Sequence, residues 1–375
     1  MKNTLSAFII VLLFLSVGNG WAGEVDTQHE IDQLNRRVEE LENNAAKDGK
    51  SADTTLQSVL AGLEISGGIS AGFFYTSNPG EDASDNDFLL SNLLIEISQK
   101  DKAAPIGFVA AIGQTSTPSI LGSPEKTNSL DIEYASLALT PVTGLTAEVG
   151  LLEPNAGYEN SYTFNNVNTF LGALASQQPY NAYGGRLGYD IKGIHLCAGY
   201  YKDRLDDEEY VTNGSTPNES WELGVSGEVH DTAFSVYHYH LESLRSLTGG
   251  VIERTVGNVD LALNLDYWQW EGDMKSVHVD DDSIGGALYI VPHFGKFSIP
   301  LRLEYIDQGK SGIYLDSVDA QQIYAVTLSP TYHILDNAYV RADLGYVKAD
   351  DGFTDEDGKV KGDRVCLAAE IGYIF

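Results

Sequence analysis

From Leu63 to Phe375 the chain is written in twos. In "NVDLALNLDYW", Val259, Leu261, Leu263, Leu265 and Tyr267 alternate with Asp260, Asn264 and Asp266. In "SLDIEYASLAL", Leu130, Ile132 and Tyr134 are set against Asp131 and Glu133, and "LEISGGISAGFFY", "IHLCAGYYK", "IPLRLEY" and "YVRADLGYV" follow the same rule. The pattern runs through the closing "RVCLAAEIGYIF", where Val365, Leu367, Ala369, Ile371, Tyr373 and Phe375 interleave with Arg364 and Glu370. A side-chain period of two belongs to β-strands whose faces meet different surroundings. Sustained this long, it excludes a helical fold.

Alternation suits either a half-solvated soluble sheet or a membrane barrel, and three features favour the barrel. The polar face repeatedly carries full charges, which a wet lumen accepts. Tyrosine and phenylalanine gather toward strand ends, where an aromatic girdle sits. Connections also alternate in length. "DKAAP", "TPVTG", "DIKG", "VHDT", "PHFGK" and "HILDN" are tight, and between them lie connections of roughly 12 to 27 residues, the pattern of periplasmic turns and surface loops. The expected fold is all-β, a transmembrane up-and-down antiparallel barrel. If both barrel ends lie in the periplasm, strand number is even. The long connection "GDMKSVHVDDD" must be external, so Asn258–Trp270 and Ala233–Leu241 both run upward. A downward strand is therefore expected in Arg245–Val256, "RSLTGGVIERTV", where alternation is poor. That makes about 16 strands, or about 14 if two weak ones merge.

Three segments are expected ahead of the barrel at 63–375: a signal peptide at 1–22, a periplasmic helix at 24–46 and a linker at 47–62. Lys2 precedes the apolar run "AFIIVLLFLSVG", and Gly20 and Ala22 stand at the small-residue positions of a cleavage site. Ile31, Leu34, Val38 and Leu41 then recur at intervals of three and four, a short coiled-coil seam. So short a helix is marginal alone. It either meets the same helix of other subunits, in a homo-oligomer such as a trimer, or folds back on its own chain. A formal net charge of −31 makes nucleic acid a poor partner. Cys197 and Cys366 fall on strands that are not neighbours, and two cysteines cannot form a structural zinc site. The acidic runs lack the spacing of a calcium loop. No metal and no cofactor are expected.

A barrel of about 16 strands leaves an aqueous channel, so the expected function is passive diffusion of small hydrophilic solutes or ions. The connection at 153–179 is rich in apolar residues for an exposed tip, and Tyr158, Glu159, Phe164 and Phe170 are expected to fold inward and narrow the lumen. The alternative is an external loop that helps oligomer contacts. Charges on the lumen face partition along the chain. Glu96, Asp131, Glu133 and Glu148 come early; Arg302, Arg341 and Arg364 come from the last strands, with Arg186 between. They are expected either to set an acidic wall against a basic one or to be scattered ion pairs. His238 and His240 share a face, read as lumen lining. With no nucleophile elbow and no zinc-protease helix, the chain is not expected to be an enzyme. A plugged barrel serving as a cell-wall tether or adhesin is the rival reading. Ile371, Tyr373 and Phe375 are expected to form the terminal signal by which barrels are inserted.

"VGLLEPNAGYENSYTFNN", followed by "NAYGGRLGYD", resembles the OmpL-like β-barrel porins, with Gly157, Tyr158 and Glu159 matching their glycine-tyrosine-glutamate segment. The helix ahead of the barrel is similar to the periplasmic neck of siderophore-type porins. The resemblance implies an outer-membrane porin, with outer-membrane lipid, lipopolysaccharide and the barrel-assembly machinery as partners. It names no solute.

Overall fold

The computed structural model describes residues 62–80, 84–99, 105–116, 118–124, 129–202, 219–241, 244–272, 275, 280–315 and 320–375. The expected signal peptide, coiled-coil seam and all but the last linker residue lie outside the described residues. The chain divides into a minor unit, Met1–Glu64 with Ser98–Lys102, and a major unit, Ile65–Ile97 with Ala103–Phe375. Of the minor unit only 62–64 and 98–99 are described, the first residues of one strand and the last of the next. The major unit holds everything that follows.

The alternating residues form strands. The first six are β1 (Leu63–Thr76), β2 (Asn86–Gln99), β3 (Ile106–Thr115), β4 (Asp131–Val142), β5 (Leu145–Leu152) and β6 (Ala182–Ile191). Next come β7 (Ile194–Lys202), β8 (Glu219–Val229), β9 (Thr232–Leu241), β10 (Arg245–Val256), β11 (Val259–Trp270) and β12 (Asp282–Phe294). The last are β13 (Phe297–Ser298), β14 (Leu301–Asp307), β15 (Gln322–Leu328), β16 (Thr331–Leu335), β17 (Ala338–Thr354) and β18 (Val360–Ile374). Chain neighbours pair, and β18 returns to β1 with Gly68 opposite Ile374 and Thr76 opposite Cys366, closing the sheet. Pro300 separates β13 from β14 and Pro330 separates β15 from β16, because proline has no N–H for the ladder. The eighteen ladder segments are therefore sixteen antiparallel strands.

The strand inferred at Arg245–Val256 is β10, paired along its whole length with β11 from Arg245↔Trp270 to Val256↔Val259. Tight turns close the hairpins at one end. At Lys192–Gly193 both residues have positive φ (51° and 82°), as the two-residue turn matched to strand twist requires. The other end carries the long connections, with two departures from the expected alternation: only residues 242–244 separate β9 from β10, and only 355–359 separate β17 from β18.

Sidedness is the reverse of a soluble protein's. On β17 Arg341 and Asp343 are buried while Val340, Leu344 and Tyr346 are exposed. On β18 Arg364 and Glu370 are buried, and Val365, Leu367, Ile371, Tyr373 and Phe375 face out. Among the described residues no helix is long and apolar enough to cross a membrane. The strands present the apolar surface instead.

Two sequence expectations change face. Between Ala111 and Ile112 the β3–β4 register slips, Ala111 pairing with Tyr134 and Ile112 with Ile132. The extra residue, Glu133, reverses the faces beyond it. Tyr134, expected outside with Ile132, thus points in and donates its hydroxyl to Glu96 Oε2 at 2.5 Å. His238 and His240, expected to line the lumen, face outward on either side of Trp221, with centroids 4.9 and 5.3 Å from its ring. Tyr237 and Tyr239 occupy the inner positions because their buried hydroxyls find Asp266 (2.6 Å) and Ser220 (2.8 Å).

Candidate functional site

The connection 153–179, between β5 and β6, is bonded at many points to inward-facing side chains. Near its start, Asn155 Nδ2 donates to Glu222 Oε1 (3.2 Å). Thr163 donates through its amide to Asn92 Oδ1 (2.7 Å) and through its hydroxyl to Glu370 Oε1 (2.6 Å). The amides of Thr169 and Phe170 share Asp343 Oδ2 (2.7 and 3.0 Å), and that of Leu174 reaches Glu304 Oε1 (3.0 Å). At its end Gln178 Nε2 donates to Asp266 Oδ2 (2.7 Å). A loop needs such partners when its polar backbone leaves water.

The sequence-selected arginines all take part. Arg186 pairs with Glu148 directly across β5–β6 (2.9 Å) and donates to the Glu153 carbonyl (2.9 Å). Arg302, fully buried, pairs with Glu159 (2.5 Å) and Glu304 (3.0 Å) and donates to the Phe170 carbonyl (2.8 Å). Arg341 pairs with its cross-strand neighbour Glu370 (2.7 Å) and donates to the carbonyls of Asn166 (2.6 Å) and Thr163 (3.0 Å). Arg364 serves two other connections, donating to the Leu121 and Gly122 carbonyls after β3 and to the Asn78 carbonyl after β1, with its guanidinium over the Phe353 ring. Each arginine ties a connection to the wall through backbone oxygen.

The Gly157-Tyr158-Glu159 segment is where the loop is latched. Gly157 has φ +88°, and a Cβ there would lie 1.9 Å from Gln178 Oε1. That conformation and that space admit glycine alone. Tyr158 packs on Tyr289 with centroids 4.3 Å apart. Glu159, besides Arg302, accepts from the Gly172 amide (2.6 Å) and the Tyr289 hydroxyl (3.1 Å). Phe164 and Phe170 are both buried, Phe170 edge-on to Phe74 at 5.7 Å.

The other sequence-selected acids, Glu96, Asp131 and Glu133, group elsewhere. Glu96 holds Tyr134, and Glu133 is hydrogen-bonded to Tyr162 of the loop. Glu153 lies near both, its carboxyl pushed above the usual range by burial and by the Glu96 charge, with Arg186 opposing. Burial likewise raises the Tyr158 phenol to about 12, helped by Glu253 and Glu159. Asp131 and Glu133 line a cavity of about 540 Å³ with Gln114, Ser161, Tyr180 and Asn181. A second cavity of about 360 Å³ lies between Glu153–Ser161 and Cys197, Gly224, Ser226 and Ser235 of the wall. Cys197 and Cys366 are free.

Sequence reading missed the loop's acceptors, Glu222, Asp266 and Asp343, and a second inward connection. Residues 118–121 pair with the first loop: the Ile120 amide donates to the Leu171 carbonyl (2.9 Å) and the Leu171 amide to the Pro118 carbonyl (3.1 Å). Ile120 is fully buried. The isoleucine-leucine pair in "TSTPSILGSPEKTN" was its one sequence signal.

A family model described as "Putative beta-barrel porin-2, OmpL-like" matches residues 62–375. The chain belongs to this porin family. A search of curated proteins returned no match. Among solved structures, the porin is similar to in-vitro folded OmpT of Vibrio cholerae in its trimer form, with TM-score 0.55 and 11% identity, covering 84% of this chain and 99% of that one. An OmpT variant lacking loop L8 gives TM-score 0.55 at 13% identity, covering 84% and 99%. A mutant of Rhodopseudomonas blastica porin gives 0.50 at 14%, covering 84% and 100%. At these identities the likeness is of fold. The porin thus shares the barrel of outer-membrane proteins.

Proposed function

We propose that the protein is an outer-membrane porin through which small hydrophilic solutes or ions diffuse passively, its lumen narrowed by the loop 153–179. One observation carries the reading: the loop is bonded to inward-facing side chains on β8, β11, β14, β17 and β18. A connection held against so many strands reduces the cross-section of any channel they enclose. Porin family and fold are those of a channel rather than an enzyme. OmpT is solved as a trimer, and we infer a homo-oligomer here too, with the seam Ile31, Leu34, Val38 and Leu41 as one contact between subunits. The exposed apolar face meets outer-membrane lipid and lipopolysaccharide after insertion by the barrel-assembly machinery.

Purified full-length protein in a planar bilayer should give discrete current steps. The second reading, a plugged barrel acting as a tether, is favoured by the apolar packing around Phe170 and Leu174, which are 0% and 1% exposed. Insertion without any current step would select it.

A further inference from the structure

We propose that solutes cross this porin off the barrel axis, between the loop 153–179 and the β3–β9 wall, by a route that favours cations. The inference rests on the porin reading above.

Side-chain size divides the lumen wall. On β10–β17 the inner positions carry Leu247, Trp268, Tyr289, Ile306, Ile323 and Val347, none more than 2% exposed. They form one apolar cluster with Phe170 and Leu174 of the loop. Close-packed interiors leave few voids larger than a water molecule. On β6–β9 the inner positions nearer the tight turns carry Gly188, Cys197, Gly224, Ser226 and Ser235, and there a gap of about 360 Å³ persists, while Tyr201, Tyr237 and Tyr239 toward the other end join the apolar cluster.

The two cavities share part of their lining. The one of about 360 Å³ reaches His195, Ser226 and Ser235, near the tight turns after β6 and β8. The one of about 540 Å³ reaches Gln114, Thr115 and Asp131, at the opposite ends of their strands, beside the long connections. Ser161, Tyr180 and Asn181 line both. In the proposed route these three residues are the waist that joins the two cavities, with Tyr180, 70% exposed, lining both.

Charge along this passage has one sign. Asp131 and Glu133 line the first part and Glu153 the second, where the Glu159 charge is neutralised by Arg302. The cations that would attract an anion are engaged: Arg186 with Glu148, Arg302 with Glu159 and Glu304, Arg341 with Glu370. Carboxylates in a narrow, low-dielectric-walled cleft concentrate cations and exclude anions. Tyr180 sets the width, and Glu133 and Glu153 set the sign.

The test uses the full-length porin with both native cysteines changed to serine, carrying Tyr180→Cys, Ser226→Cys or Ala349→Cys. Ala349 is the control, an inner residue of the packed side that is fully buried. In planar bilayers a positively charged methanethiosulfonate should lower the single-channel current of the Tyr180 and Ser226 variants by about twofold or more. It should leave the Ala349 variant unchanged. A negatively charged methanethiosulfonate should react roughly tenfold more slowly at Tyr180. Ser226 provides a second reporter should the Tyr180 variant fail to insert. Block at Ala349 with none at Tyr180 or Ser226 would overturn the off-axis route, and equal rates for the two reagents would overturn the cation preference. Loss of all current, in the unmodified porin too, would instead remove the porin reading on which both depend.

Discussion

At the scale of single residues, the inward facing of three arginines was legible in the sequence and their employment was not. Arg302, Arg341 and Arg364 fall on the polar side of an alternating strand, so their facing was readable. That each would donate to a loop carbonyl was not, because it depends on where a distant loop comes to rest. Arg302 shows what such a placement is worth. Its side chain is fully buried with Glu159 and Glu304, and the Glu159 carboxylate is the latch of the 153–179 loop. Arg302→Ala would leave two buried carboxylates without a counter-charge, a loss that typically costs about 3–5 kcal/mol. The variant should unfold at a lower temperature by heat-modifiable gel mobility and give larger, noisier current steps as the loop loosens. Arg302→Lys, which keeps the charge but not the fork that reaches Glu159, Glu304 and Phe170 together, should fall between. Wild-type mobility and wild-type current in Arg302→Ala would mean that the loop is held without its latch.

At the scale of elements, strands were legible and loops largely were not. A strand writes its partner surface into every second residue, so β11, β17 and β18 could be traced from alternation alone. Even β10, with Gly249 and Gly250 diluting its pattern, followed from the parity of an up-and-down barrel. Glu133 marks the limit: one extra residue turns Tyr134 inward, and nothing local announces it. The loop 153–179 was legible only through its excess of apolar side chains, and residues 118–121, which bond to it, escaped. Gly157 is the position where local chemistry and loop path meet. Replacing it by alanine imposes a positive φ on a residue with a Cβ and drives that Cβ into Gln178, whose amide is bonded to Asn264 and Asp266. Strain of this kind costs on the order of 1–3 kcal/mol. Gly157→Ala should therefore leave the barrel able to insert, with the start of the loop displaced. Single-channel records should show added flicker at unchanged voltage dependence of insertion. A record indistinguishable from wild type would show that the Gly157 turn does not fix the loop.

At the scale of the molecule, what matters is closure. A spanning sheet in lipid cannot leave an edge, because each unpaired backbone group there costs several kcal/mol. β1 and β18 meet over nine pairs from Gly68↔Ile374 to Thr76↔Cys366. Phe375 extends the seam by one further pair, its amide donating to the Gly67 carbonyl (2.9 Å) and its carbonyl accepting from the Gly67 amide (3.0 Å). Its ring lies with that of Tyr373, centroids 6.4 Å apart, on the outward face with Ile371. Deleting Phe375 removes both seam bonds and half of an aromatic pair placed where interfacial anchors act. Shortening the exposed turn after β17 removes none of these. Deletion of Phe375 should therefore lower the yield of heat-modifiable, membrane-inserted barrel several-fold, while a shortened β17–β18 turn inserts as wild type does. Comparing the two variants at matched expression separates an assembly role from a general loss of stability. Inserted Phe375-deleted barrel that melts early, at undiminished yield, would place the residue in the seam alone; reduced yield of barrel that then melts normally would place it in recognition before closure.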